Sequence, residues 1–301
     1  MTAFWNTLRS LVGGGPGAAG PRSAAHGASS FHLFWDLPSG SLADDPPDFG
    51  LLEVSATLEV VVPPLVDSLY FWALQVDFVD ERGTWGGGHT GLQWNRRYPG
   101  GTAVNWGGYA ARELGGAVLP GTVSDLPGFA DDPHTLAYSW LPGRQYRLRV
   151  YRSPENLGAW RAEVTDVLSG RASVIRDLLP NTVQDRGILS RLFSRWRDPS
   201  TGAVETGAAA AGYLVRPMVW SEVFAECDAP SVSVRWSELQ AVDENGAPLR
   251  PQEVAVNYQS VAEGGCTNTD VSVDSAGFVQ TTNAIRVAQQ GTLLVLPQSR
   301  R

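Results

Sequence analysis

Hydrophobic and polar positions alternate with a period of two through most of this chain. Tyr70–Val79 (YFWALQVDFV) is the clearest stretch. Tyr70, Trp72, Leu74, Val76 and Phe78 point one way, and Phe71, Ala73, Gln75, Asp77 and Val79 the other. Successive side chains of a strand point to opposite faces, so this rhythm predicts strands with one face in a core. The pattern recurs in Leu51–Val62, Thr90–Asn95, Thr102–Trp106, Thr135–Leu141, Gln145–Arg152, Ala159–Val167, Tyr213–Cys227 and Ser231–Leu239. Shorter strand-like pieces follow at Glu253–Tyr258, Asp270–Val273, Gly277–Thr281 and Gly291–Leu296. Turn signals divide them, among them Glu81-Arg82-Gly83, Tyr98-Pro99-Gly100-Gly101, Leu141-Pro142-Gly143 and Asp243-Glu244-Asn245-Gly246. Many short strands with regular turns predict an antiparallel all-β sandwich of the jelly-roll kind. The predicted core is Tyr70, Trp72, Leu74, Leu92, Trp94, Tyr146, Leu148, Val150, Trp160, Val164, Val232, Val234 and Trp236.

Two stretches depart from the alternation. Residues 13–30 (GGGPGAAGPRSAAHGASS) lack large apolar groups and read as a linker. Ahead of them, Phe4, Trp5, Leu8, Leu11 and Val12 fall at helical spacing, either as a docking peptide or as a tail with accidental periodicity. Within Gly187–Asp198 (GILSRLFSRWRD), Ile188, Leu189, Leu192, Phe193 and Trp196 share one helical face. This Arg186–Arg197 helix either caps the open end of the β core or docks on an acidic partner. The organisation expected is an extension over 1–30 and a sandwich over 31–243 with a helical insertion near 187–212. A β segment over 244–301 either completes the sandwich or forms a small appendage.

Composition narrows the chemistry. All 23 basic residues among the 301 are arginine, against 31 acidic ones, for a net charge of −8. Schiff-base and P-loop lysine chemistry is therefore excluded. The acidic balance argues against nucleic acid, whose binding draws on neutralised phosphates. No transmembrane run and no secretory signal pattern are visible, which gives a cytoplasmic location by default. Cys227 and Cys266 either form one bridge or remain buried thiols, and the missing signal pattern tips the expectation toward thiols.

YFWALQVDF (70–78), HTGLQWN (89–95), AVNWGGY (103–109), YSWLPGRQYRLRVYR (138–152) and AWRAEVTDVLSGR (159–171) resemble the concanavalin A-like lectin/glucanase jelly rolls. VWSEVFAECDAP (219–230) and GGCTNTDVSVDSAGFVQ (264–280) fit a bacterial family of unknown function within that class. The resemblance implies an association with carbohydrate, and it favours export.

On that basis the polar face is expected to grip a glycan or polysaccharide without catalysis. The ligand-binding set comprises Gln75, Asp77, Gln93, Asn95, Asn105, Arg147, Arg149 and Glu163, with His89 in reach and Trp85, Trp106 and Tyr109 as aromatic plates. One alternative is a glycoside hydrolase or lyase. Glu222 and Glu226, four residues apart on a strand, would be separated by about 13 Å, too far for either glycosidase geometry. A cross-strand pair such as Asp77 with Glu163 would then serve. The other alternative is an interaction scaffold docking through Phe4, Trp5, Leu8 or the arginine-rich helix. No cofactor and no catalytic metal are expected, because His26, His32, His89 and His134 lack ligand spacing. Asp131-Asp132, Asp270 and Asp274 are either turn caps or ligands of a structural calcium.

Overall fold

β-Branched and aromatic residues dominate the alternating stretches, and in the computed structural model the described residues form seventeen antiparallel strands. The structure describes residues 28–37, 50–80, 83–156, 158–178 and 212–296. The expected docking peptide and the Arg186–Arg197 helix lie outside the described residues.

The first eight strands are β1 (Ser29–Asp36), β2 (Leu51–Val62), β3 (Tyr70–Asp80), β4 (Gly83–Trp94), β5 (Thr102–Ala110), β6 (Gly128–Phe129), β7 (Asp132–Ala137) and β8 (Gln145–Arg152). They are followed by β9 (Trp160–Asp166), β10 (Arg171–Leu178), β11 (Tyr213–Val223), β12 (Ser233–Asp243) and β13 (Pro248–Leu249). The last four are β14 (Glu253–Tyr258), β15 (Thr269–Val273), β16 (Phe278–Thr282) and β17 (Leu293–Leu294).

The pairings separate into two layers. One runs β6-β7-β5-β4-β3-β11-β1-β14-β17. The other runs β10-β9-β8-β2-β12-β16-β15, with β13 also on β12. Among the described residues, only the strand pairing of Leu214 with Leu51 joins them. This is the antiparallel β-sandwich that the alternation predicts, and every residue of the predicted core belongs to its apolar interior except the half-buried Trp94, which packs against it. Val54, Ala56, Leu58, Leu148, Val150, Trp160 and Val164 of the second layer meet Tyr70, Trp72, Leu74, Val76 and Phe78 of the first. Burying such side chains contributes about 1.5–3 kcal/mol each before entropy is counted.

Ser29 and Ser30 of the expected linker already belong to β1. That strand is central, paired with β11 on one side and β14 on the other. Its placement brings the chain after β11 beside the chain after β14, and there Cys227 and Cys266 form a disulfide with Cα atoms 5.6 Å apart. The expectation of free thiols is thereby corrected, because β1 juxtaposes two segments that are distant in sequence. Among the described residues, no helix is long and apolar enough to cross a membrane.

Candidate functional site

The alternation that aims Trp72, Leu74 and Val76 inward aims Phe71, Ala73, Gln75 and Asp77 at the outer face of the first layer. Strand register extends this face in rows. Asp77 lies opposite Gly87, which lies opposite Tyr109. Gln75 lies between Met218 and His89, and His89 lies opposite Gly107. Ala73 lies between Trp220 and Gly91, which is followed by Asn105 and then Thr135. Glu222, Phe71 and Gln93 form the next row.

Glycines leave the space that the larger groups need. A Cβ on Gly107 would lie 2.7 Å from the ring of His134, so the missing side chain admits that imidazole. Ala73, whose side chain is a single methyl, sits beneath a cluster of rings. Phe71 meets Trp220 with centroids 4.9 Å apart and His89 at 5.5 Å, both edge to face. His89 continues to Tyr109 at 6.2 Å, and Tyr109 to His134 at 6.2 Å. On the other side Trp220 meets His32 at 6.5 Å, and His32 meets Phe34 at 6.1 Å. Seven rings thus cross six strands of one layer.

The polar groups among these rings are incompletely paired. Trp220 Nε1 donates to Gln75 Oε1 at 3.0 Å, which fixes the amide and leaves the buried Gln75 Nε2 without an acceptor. Asn105 Nδ2 donates to Thr135 Oγ1 at 3.3 Å, leaving Asn105 Oδ1 bare. Arg216 Nε donates to Asp77 Oδ2 at 2.7 Å, leaving Asp77 Oδ1 bare. An Arg176 amino group contacts His134 Nδ1. Guanidinium only donates, so Nδ1 accepts and the hydrogen sits on His134 Nε2, which has no partner. His89 Nδ1 is also buried and unpaired. Most buried polar groups in folded proteins have a partner, so five without a protein partner on one face single it out as the candidate site.

Burial sets the charges. It drives the imidazoles of His32 and His89 down to about 3, with His134 adding repulsion at His89. It lowers His134 to about 4, helped by the Arg176 charge. These rings are neutral at pH 7. Burial raises the Asp77 carboxyl to about 6 against the opposing pull of Arg216. The face therefore offers two donors (Gln75 Nε2 and His134 Nε2), two acceptors (Asp77 Oδ1 and Asn105 Oδ1) and one neutral imidazole nitrogen.

The structure brings together only part of the sequence-derived set. Gln75, Asp77, His89, Gln93, Asn105 and Tyr109 share this face. Gln93 is satisfied through Tyr98 and Thr135. Trp85 and Trp106 instead point into the core at 5 % and 0 % exposure, with Trp85 stacked on Phe78 at 4.8 Å. Neither can serve as an open plate. Asn95 caps the turn after β4 by accepting from the Arg97 N–H at 3.0 Å. Arg147, Arg149 and Glu163 lie on the outer face of the second layer, where Arg149 pairs with Glu53 and Arg147 donates to Ser55. Asp77 and Glu163 therefore occupy opposite outer faces of the sandwich, and the pair required for glycoside hydrolysis does not form. Alternation separates inside from outside within each strand, but it does not say to which layer a strand belongs.

Phe71, Trp220, Met218, His134 and Arg216 were missing from the sequence-derived set. The alternation of β11 carries the signal for Met218 and Trp220, and Arg216-Pro217 inside an otherwise regular strand marks an irregularity there. Asp132 Oδ1 accepts from the His134 N–H, and Asp270 and Asp274 accept from nearby backbone N–H groups. Among the described residues, no group of three or more His, Cys, Asp or Glu is placed to hold a metal.

No family model and no curated protein matches the sequence. Among solved structures, the chain is similar to scytalido-glutamic peptidase bound to a peptide-based transition-state analogue. That match has a TM-score of 0.36 at 13% identity and covers 84% of this chain and 98% of the other. It is also similar to SCP-B, a member of the eqolisin family of peptidases, in complex with the tripeptide Ala-Ile-His. Here the TM-score is 0.35 at 12% identity, over 85% of this chain and 96% of the other. These matches are peptidases. The expected carbohydrate-binding module and its glycosidase alternative are both corrected here. The expected tryptophan plates are core residues, and the expected ligand groups are divided between two opposite faces.

Proposed function

We propose that the outer face of the first layer binds an extended peptide segment. The observation that carries this is the set of orphaned donors and acceptors among packed rings. An extended chain repeats its N–H and C=O groups every two residues, about 6.6–7 Å. That interval also separates Gln75 from Asp77 on β3, one offering a bare N–H and the other a bare oxygen. Neutral amide and imidazole groups suit a neutral backbone, and the rings supply apolar surface for its side chains.

Asp77 favours a second reading, in which the bound amide is also cleaved. A carboxyl raised to about 6 is tuned for proton transfer in mildly acidic solution. Asp77 would take a proton from water as its oxygen attacks the carbonyl carbon, then return a proton to the departing amine.

The test is calorimetry with a library of blocked pentapeptides at pH 5–7.5, paired with mass spectrometry of the same mixtures. Saturable binding that is lost in Gln75→Leu and weakened in Asp77→Asn is expected. A folded protein that binds no member of the library overturns the peptide reading, and intact peptides after long incubation overturn cleavage.

A further inference from the structure

Asp77 owes its position to an irregularity in the neighbouring strand. Between β3 and β11 the register runs Val215 opposite Asp77 and then Met218 opposite Gln75, so three steps on β11 match two on β3. The extra residue is a β-bulge at Arg216-Pro217. Proline fits there because a bulge relieves it of a ladder hydrogen bond. Arg216 itself has φ +50°, in the left-handed region. That conformation is unusual for a residue with a side chain, and doubly so for one that precedes proline. Backbone held this way persists only where the surroundings enforce it, and it concentrates at functional sites.

The bulge turns the Arg216 side chain onto the site. Nε donates to Asp77 Oδ2 at 2.7 Å, and an amino group donates to Thr84 Oγ1 at 3.1 Å. Asp77 is 6 % exposed and Arg216 32 %. One carboxylate oxygen is thus held from the side, and the other is left bare and buried. Gly87 stands beside Asp77 in the next strand with no side chain, and Tyr109 closes the row beyond it. Besides Arg216, the titratable groups around Asp77 are His89 on β4 and Tyr109 on β5.

We propose that Arg216 is the positioning residue of this site, clamping Asp77 through Oδ2 so that Oδ1 accepts an N–H from the bound chain. The inference rests on the peptide reading above and adds to it one defined contact and the device that prepares it. A carboxylate accepts that N–H more strongly when ionised, so affinity for a blocked peptide falls as pH drops through the Asp77 midpoint near 6. Removing the guanidinium withdraws the charge that holds the midpoint down.

The experiment uses the full chain as wild type, Arg216→Gln, Arg216→Lys and Asp77→Asn. Carboxyl carbon NMR on ligand-free protein reads the Asp77 midpoint, and calorimetry with blocked pentapeptides reads affinity against pH. Arg216→Gln is expected to raise the midpoint by about 1 unit or more and to shift the affinity profile with it. Arg216→Lys should restore most of the midpoint but not the affinity, because a single ammonium cannot hold both Asp77 and Thr84 in the same geometry. Asp77→Asn should abolish the pH dependence. An unmoved midpoint in folded Arg216→Gln overturns the clamp whatever peptides do. A moved midpoint without binding of any peptide leaves the clamp in place and overturns the contact to the bound chain together with the peptide reading.

Discussion

Trp106 Nε1 on β5 donates to the carbonyl oxygen of Trp160 on β9 at 3.1 Å, a hydrogen bond across the two layers of the sandwich. Both residues are fully buried. Trp106 also meets Phe78 edge to face at 6.4 Å, and Phe78 stacks on Trp160 at 6.2 Å. An aromatic residue beside Gly107-Gly108 reads from sequence as an exposed plate. Here it is a cross-layer tie.

Trp106→Ala should therefore act on stability, with a loss of about 3–5 kcal/mol. Trp106→Phe keeps much of the apolar contact and loses the indole bond, so a smaller loss is expected. Urea unfolding of the three proteins checks this. An unchanged unfolding midpoint in the alanine variant would show that the tie contributes nothing.

Sequence made the sandwich legible because its core strands obey a simple rule, one face apolar and one polar. β3, β8 and β9 were readable for that reason. β10 was not, since its buried positions include Arg176 and Asp177 and its register shifts between Val174 and Arg176. Those charges are buried because they have partners. Asp177 pairs with Arg161 at 2.7 Å, and Arg176 donates to the carbonyl oxygens of Trp106 and Pro133. Half of the candidate site was legible, since alternation placed Gln75, Asp77, Gln93 and Asn105 on an outward face, with His89 within reach of it. Arg147, Arg149 and Glu163 were misplaced by pooling polar positions of β8 and β9 with them, because long-range pairing assigns strands to layers and leaves no mark in local periodicity. Arg216 was invisible for a related reason. Its role depends on one extra residue relative to a strand 139 positions away.

Acid should destabilise the protein through its imidazoles. His32 and His89 have folded-state values near 3, against 6.5 for the free group. The unfolded chain therefore binds their protons first, and the stability they confer is complete above about pH 6.5 and lost as pH falls toward 3. At pH 5 each represents a loss of about 2 kcal/mol. Asp77 works the other way. Its folded value near 6 exceeds the free 3.8, so its burial weakens the fold at neutral pH, and protonation relieves that between about 6 and 3.8. The imidazoles outnumber it, so unfolding free energy should drop from pH 7 to pH 4. His89→Gln should flatten the slope by one group's worth. A stability independent of pH over that range would refute the assignment of buried neutral rings.

Reduction of the disulfide between Cys227 and Cys266 should be costly. The bond joins residues separated by 39 positions, and the chain-entropy model gives about 4 kcal/mol for such a loop. The surroundings depend on it as well. The Cys266 N–H donates to Ser29 Oγ at the start of β1, and an Arg286 amino group donates to the Cys266 carbonyl oxygen at 2.7 Å. Thermal unfolding with and without reductant, compared with the Cys227→Ala/Cys266→Ala double variant, should show a large drop in both cases. If the double variant matches the oxidised protein, the loop closure adds nothing.

His89 tests whether the orphaned groups serve binding at the expense of the fold. Its Nδ1 is buried with no partner, and an unsatisfied buried polar atom costs about 1–3 kcal/mol. The ring is neutral at pH 7 and is already packed edge to face against Phe71 and Trp220. Phenylalanine has nearly the same shape and carries no polar atom to strand. His89→Phe should therefore raise unfolding free energy by about 1 kcal/mol while weakening peptide binding at least tenfold. Residues retained against stability are those that function requires, and sites that bind or react show this trade-off repeatedly. Differential scanning calorimetry and titration of the same preparation read both quantities. A variant that gains stability and binds as before would place His89 outside the ligand's contacts. One that loses stability would show that Nδ1 has a partner in the folded protein, which would remove the imidazole from the set of groups awaiting a ligand.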